Sequence, residues 1–130
     1  MSKPAHLLLI EDDETLAGLL SAHLRAHGYG VTVAPSAEIA RASLQDRPWP
    51  DLILLDINLP GETGWSVLRS EAYATAGRPP VVVATAMSVS PARLREFDIA
   101  GHLPKPFALD TLRTTIDRLL TGQANEIESA

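Results

Sequence analysis

Three acidic residues, Glu11-Asp12-Asp13, follow the apolar run Leu7-Leu8-Leu9-Ile10, and a single aspartate, Asp56, follows Leu52-Ile53-Leu54-Leu55. A hydroxyl, Thr85, ends the run Val81-Val82-Val83-Ala84, and an ammonium, Lys105, stands within two residues of the stretch Ile99 to Leu103. Brought to one point, such carboxylates repel by roughly 4 kcal/mol per pair at about 4 Å under an effective dielectric near ~20. A hard divalent cation held by oxygen ligands would offset that repulsion, and Mg²⁺ takes one or two carboxylates together with waters and a phosphate. Lys105 would supply a further positive charge. Taken singly, each residue has a plainer role: the acidic triplet as the first turn of a helix, Asp56 as a loop cap, Thr85 as a strand-end hydroxyl, Lys105 as a solvated or surface-paired lysine. The chemical reading therefore depends on convergence, and convergence depends on the fold.

The three apolar runs are too short for helices and do not alternate, which suits strands covered on both faces of a parallel sheet. Val31-Thr32-Val33 and Ile99 to Leu103 are weaker strand candidates whose polar interruptions predict sheet edges. Between the strands, Leu16, Leu19, Leu20 and Leu24, then Ile39, Ala40, Ser43 and Leu44, then Leu109, Leu112, Ile116, Leu119 and Leu120 repeat at helical spacing. Ser90-Pro91 ahead of Leu94 and Phe97 predicts an N-cap with proline at the first helical position, and a further helix is expected near Thr63 to Ala72. Strand alternating with helix predicts an α/β fold: a doubly wound five-stranded parallel sheet with helices on both faces. With runs one, three and four central, the flavodoxin-like order 2-1-3-4-5 accommodates the pattern, and its switch point lies between strands one and three. Ligands bind at the carboxyl ends of strands in this architecture, which is where Glu11, Asp12, Asp56, Thr85 and Lys105 fall.

In order and spacing these residues resemble the receiver domains of two-component response regulators, over Leu7 to about Leu120. The motifs are the acidic pair Glu11-Asp12 in LLLIEDD, Asp56 in DLILLDINLPGETG, Thr85 in VVVATA and Lys105 in LPKPF. None is specific alone, and part of the strand order rests on the same resemblance. The resemblance implies that Asp56 is the phosphoacceptor, taking a phosphoryl group from the phosphohistidine of a sensor histidine kinase or histidine phosphotransfer protein. It implies Mg²⁺ bound by the Asp12 and Asp56 carboxylates, by the backbone carbonyl of Asn58 and by Glu11 largely through water. Lys105 would pair with Asp56 and then with the phosphoryl oxygens, Thr85 would swing toward the phosphoryl group, and the Lys105-Pro106 bond would be cis. The surface of helix four, strand five and helix five would then switch and signal to a downstream effector protein or domain, with a phosphorylation-dependent dimer a further expectation. On this view the chain is a signalling receiver, not an enzyme acting on other molecules, although it catalyses its own phosphorylation and dephosphorylation. Phosphoryl transfer needs positioning and charge neutralisation above all, which these residue types supply.

Three features depart from the family pattern. His102 stands three residues before the lysine, where the family commonly has Tyr or Phe as a rotamer switch, and it reads either as that switch or as a packed imidazole. The Thr85 to His102 stretch is about two residues short, which predicts a short or irregular fourth helix. Pro104 removes a backbone donor just before Lys105, which an edge strand tolerates. His6, His23 and His27 are scattered and read as surface or helix-packing residues before metal ligands, and Trp49 and Trp65 read as packing residues.

A length of 130 residues with 45% hydrophobic and 21% charged residues fits a single folded domain. The receiver is expected over residues 1–121, with a flexible C-terminal tail or linker start over 122–130, where periodicity is lost. The net charge of −5 argues against a phosphate-backbone footprint, so no direct nucleic-acid binding is expected. There is no cysteine, no long apolar stretch at Met1-Ser2-Lys3-Pro4 and no run near the ~18 residues of a membrane span, which predicts a cytoplasmic chain without membrane contact. Two other function classes compete. A phosphoaspartyl phosphatase of the haloacid-dehalogenase type would carry its nucleophile on the first strand and a second aspartate two residues on, where this chain has Asn58. An unphosphorylated receiver-like interaction module would typically lack the acceptor or the lysine, and both are present.

Overall fold

The computed structural model describes residues 4–46, 48–70, 73 and 78–122. The apolar runs form β1 (His6–Ile10), β3 (Leu52–Leu55) and β4 (Val81–Thr85), flanked by β2 (Gly30–Ala34) and β5 (Gly101–Pro104). All pair in parallel in the order β2-β1-β3-β4-β5, as the sequence predicts. Strands β3 and β4 are buried at every position and β1 at all but its first, whereas β2 and β5 carry exposed residues. The polar interruptions thus mark the two edges.

Successive strand residues face opposite layers. Leu7, Leu9, Leu52, Leu54, Val82, Ala84 and Leu103 pack under α1 (Glu14–Ala26) and the helix Leu109–Leu120, through Leu20, Leu24, Leu112 and Ile116. Leu8, Ile10, Ile53, Leu55, Val81 and Val83 pack under α2 (Ala37–Ser43) and α3 (Trp65–Leu68), with Leu94 of α4 (Pro91–Glu96) partly buried against them. We number the last helix, Leu109–Leu120, α5. Both layers being covered explains why the central strands read as unbroken apolar runs.

The helix starts follow from their caps. Asp13 accepts from Leu16 N at 3.1 Å, Ser36 from Ile39 N at 3.1 Å and Ser90 from Arg93 N at 3.2 Å, with Pro91 opening α4. Helix α4 is short, matching the short stretch in the sequence. The expected helix near Thr63 to Ala72 is realised as α3 over its described part; residues 71 and 72 lie outside the described residues. Two stripe residues are corrected: Leu19 and Ile39 are exposed. The buried faces run instead through Ala17, Leu20, Ser21 and Leu24 in α1 and through Ala37, Ala40 and Leu44 around α2, because small residues let the helices sit close to the sheet. Strand five also begins later than Ile99: Asp98 adopts φ 52° and Ala100 N donates to Val81 O before regular pairing starts at Gly101. Trp65 stacks on Phe97 at 4.9 Å between ring centres, and Trp49 Nε1 donates to Leu44 O at 2.8 Å, so both tryptophans pack as expected. Of the segment 122–130, residues 123–130 lie outside the described residues. Among the described residues no helix is long and apolar enough to cross a membrane.

Candidate functional site

Register brings the chemistry together. Ile10 pairs with Leu55 and Leu55 with Val83, so β1, β3 and β4 end side by side. The ladder continues past the strands, with Glu11 N donating to Ala34 O, Asp56 N to Ile10 O and Lys105 N to Thr85 O at 3.0–3.1 Å. Residues separated by most of the chain therefore leave the sheet together at the carboxyl ends of its strands.

There the Lys105 ammonium donates to Glu11 Oε1 at 2.6 Å and to Asp56 Oδ2 at 3.1 Å. Glu11 Oε2 accepts from Asp13 N at 3.2 Å, and Asp56 Oδ1 accepts from Asn58 N at 3.0 Å. Glu11 and Asp56 are only 3% and 6% exposed, whereas Asp12 is exposed at the mouth. Carboxylate oxygens of Glu11, Asp12 and Asp56 lie within 4.8 Å of one another. Burial raises the Glu11 carboxyl above its usual value, opposed by its bonds to Lys105 and Asp13. Burial pulls the Lys105 ammonium down, yet its bonds to Glu11 and Asp56 outweigh that and leave it above its ordinary value. Three carboxylates against one ammonium leave an excess of negative charge on a set of oxygen donors, which fits a hard divalent cation such as Mg²⁺.

The three acids of Glu11-Asp12-Asp13 divide their work. Asp13 takes the plainer role and caps α1, while Glu11 and Asp12 face the site. Asn58 is exposed in the loop that carries the chain from Asp56 to α3, and its amide is the donor to Asp56. That loop turns at Gly61, φ 80°, and closes where Gly64 N donates to Ile57 O at 2.8 Å. A Cβ on Gly64 would stand 2.6 Å from the backbone carbonyl oxygen of Asp56, so the loop packs directly on the aspartate's own main chain.

Thr85 is fully buried, and its Oγ1 accepts from Met87 N at 3.3 Å. His102 pairs with Val83, two residues before Thr85, which puts His102, Val83 and Thr85 on one face of the sheet, the α4 side. Among the described residues the Nε2 of His102 is buried without a partner, and burial lowers its imidazole below the ordinary value. The Lys105-Pro106 bond is cis. Among the described residues His6, His23 and His27 join no metal-ligand cluster; His6 Nε2 lies 2.7 Å from Thr32 Oγ1 and His27 Nδ1 2.9 Å from His23 O.

Two elements of the site were not foreseen. The Glu11–Lys105 contact is shorter than the expected Asp56–Lys105 one, and the only hint in the sequence was the shared sign of the acidic pair. The loop after Asp56 is also tied to α2 by Arg41 and Glu62, a pairing that no local pattern announces.

With this geometry, residues 7–117 match the response regulator receiver domain, and the chain belongs to that family. Receiver domains are signalling modules that accept phosphate from histidine kinases and bind Mg²⁺ at an acidic site. The chain is 34% identical to protein PetR of Rhodobacter capsulatus over 121 residues, covering 92% of this chain and 50% of PetR. The chain spans about half the length of several curated relatives it matches. Among solved structures, the non-phosphorylated HemR receiver domain of Leptospira biflexa superposes with a TM-score of 0.80 at 29% identity, covering 90% of this chain and 94% of that one. The receiver domain of the sensor histidine kinase PA1611 from Pseudomonas aeruginosa PAO1, which has a magnesium ion coordinated in its active-site cleft, gives 0.78 at 29% identity, covering 92% of this chain and 99% of that one.

Proposed function

We propose that Asp56 is the phosphoacceptor of this receiver and that phosphorylation is Mg²⁺-dependent. The observation that carries the reading is the Asp56 carboxylate, buried at the end of β3, with Lys105 Nζ on one oxygen and Asn58 N on the other, beside Glu11 and Asp12. In the transfer a carboxylate oxygen of Asp56 attacks phosphorus, the P–N bond of the donor's phosphohistidine breaks, and an acyl phosphate forms as the imidazole leaves. Asp12, Asp56 and the Asn58 carbonyl would hold Mg²⁺, with Glu11 acting through water; the cation supplies charge neutralisation on the transferred group. Lys105 is placed to follow the charge from the carboxylate to the phosphoryl oxygens, and the Asn58 amide fixes the acceptor's orientation. A half-buried lysine already bonded to two carboxylates costs little reorganisation when a third anion arrives.

Thr85 and His102 would carry the response to a surface formed by α4, β5 and α5, where a downstream effector or a second copy would read it. The donor would be a sensor histidine kinase or histidine phosphotransfer protein. Residues 1–121 would form the receiver and 122–130 the start of a tail or linker. The chain is read as cytoplasmic, with no membrane or direct nucleic-acid contact of its own.

Incubation with acetyl phosphate, with and without Mg²⁺, followed by borohydride trapping and peptide mapping, tests the reading. Label is expected on Asp56 alone, dependent on Mg²⁺ and absent from Asp56→Asn. Label retained by Asp56→Asn at the wild-type level defeats it, and a chain that takes no label at all favours the interaction-module alternative.

A further inference from the structure

Helix α2 and the loop after Asp56 are joined by a compact polar contact outside the site. The Arg41 guanidinium, in the last turn of α2, grips the Glu62 carboxylate with both terminal nitrogens: Nη2 donates to Oε1 at 2.9 Å and Nη1 to Oε2. Nη1 also reaches Ser66 Oγ at 3.3 Å, and Ser66 Oγ lies 3.0 Å from Glu62 Oε2. Glu62 sits at the tip of the loop, next to Gly61, while Ser66 lies on α3. An exposed ion pair is ordinarily worth little. This pair is exposed too, and it differs in being forked and in sharing a hydroxyl with Ser66.

What the fork holds is more telling than its own strength. Helix α2 is anchored on the sheet by Ala37, Ala40 and Leu44, all buried. The loop's other end is fixed by Gly64 N on Ile57 O and by the contact of Gly64 with the Asp56 carbonyl. Between those fixed points lie Asn58, whose amide orients Asp56, and the exposed turn through Pro60 and Gly61. We infer that Arg41 and Glu62 form a clamp that positions the Asn58 segment, and so tunes cation binding and phosphoryl uptake at Asp56 without touching either. Arg41 is on this account a positioning residue. The inference rests on the phosphoacceptor reading above.

The test uses Arg41→Ala, Glu62→Gln and the swapped pair Arg41→Glu/Glu62→Arg in the full chain. In acetyl phosphate reactions the half-saturating Mg²⁺ concentration is expected to rise about fivefold in each single variant, the worth of one good ion pair, with a smaller change in the maximal rate. The swap should return it to within about twofold of wild type. In metal-free protein, hydrogen exchange at the Asn58 and Gly64 amides should quicken by a similar factor in the single variants, while amides of β1 and β4 stay unchanged. Glu62→Gln alters only the loop tip and serves should Arg41→Ala fail to fold. Wild-type Mg²⁺ dependence and amide exchange in both single variants overturn the clamp. So does a swap that restores neither. A wild-type chain that takes no phosphoryl group defeats the parent reading instead, whatever the exchange rates show.

Discussion

On the β1–β3 side of the site every oxygen of the Glu11 and Asp56 carboxylates has a donor, supplied by Lys105, Asp13 N and Asn58 N. On the β4–β5 side, among the described residues, the Thr85 hydroxyl accepts from Met87 N at 3.3 Å and the buried Nε2 of His102 has no partner. The same end of the sheet thus holds a tightly bonded half and a loosely bonded one. Buried polar groups with full partners resist motion, and those with few can be rearranged at small cost. The difference separates two jobs: an acceptor must be held still for in-line attack, whereas a response element must have somewhere to go.

The largest expected effect comes from removing Lys105, the cation that bonds both carboxylates. Lys105→Ala leaves Glu11 and Asp56 facing each other unbalanced, and breaking a buried pair in this way costs roughly 3–5 kcal/mol. Denaturant midpoints should show that loss in metal-free protein and a partial recovery in millimolar Mg²⁺; a variant as stable as wild type without metal would mean that Lys105 is not the counter-charge.

Next comes cation binding itself. Mg²⁺ at a hundredfold excess over Kd should stabilise the wild type by ~2.7 kcal/mol, read as a rise in Tm. Asp12→Asn should shrink that rise while stabilising the metal-free form, since it removes one of three clustered negative charges. Melting curves that do not move with Mg²⁺ contradict the cation site.

On the loose half the static costs are smaller. Thr85→Ala removes a hydroxyl that makes a long bond to Met87 N, a loss of about 1 kcal/mol or less. The amide shift changes that beryllofluoride induces over residues 90–120 should nevertheless collapse in this variant. Equal shift changes in variant and wild type would place the response elsewhere.

The smallest effect concerns His102. Burial favours its neutral ring, so the folded chain holds its pKa below the unfolded value of 6.5. The corresponding stability is present above that value and is lost as pH falls through the lower folded one. Wild type should therefore lose slightly more stability than His102→Phe between neutral and mildly acidic pH, measured by paired Tm values. In beryllofluoride titrations, His102→Ala with unchanged shifts over residues 90–120 would make the imidazole a packing residue and not the switch.

Much of this was legible in the chain. Unbroken runs such as Leu7 to Ile10 reveal strands covered on both faces, and Thr32 and His102 reveal the edges, because burial on two sides excludes polar residues. Three carboxylates, a hydroxyl and a lysine at strand ends follow once the sheet is parallel. Harder to read was which acid did what: Asp13 differs from Asp12 only in whether it lies at an N-cap, and that turns on where β1 stops. Arg41 and Glu62, 21 residues apart, meet through the packing of α2 beside the loop, which no periodicity encodes. Leu19 and Ile39 fit helical spacing yet face solvent, since Ala17 and Ala37, which look uninformative, allow the close approach to the sheet.

Gly64 has a consequence for how such a site is surveyed by mutation. Because a Cβ there would stand 2.6 Å from the Asp56 carbonyl oxygen, any side chain must displace the acceptor's backbone or the loop. A saturation scan scored by phosphoryl uptake should therefore rank Gly64 as intolerant as Asp56, although glycine brings no functional group. Sensitivity in that scan would map the thickness of the wall behind the nucleophile as well as the chemistry in front of it. Scoring the same library for folded protein separates the two: Asp56→Asn should remain abundant, and Gly64→Val should not.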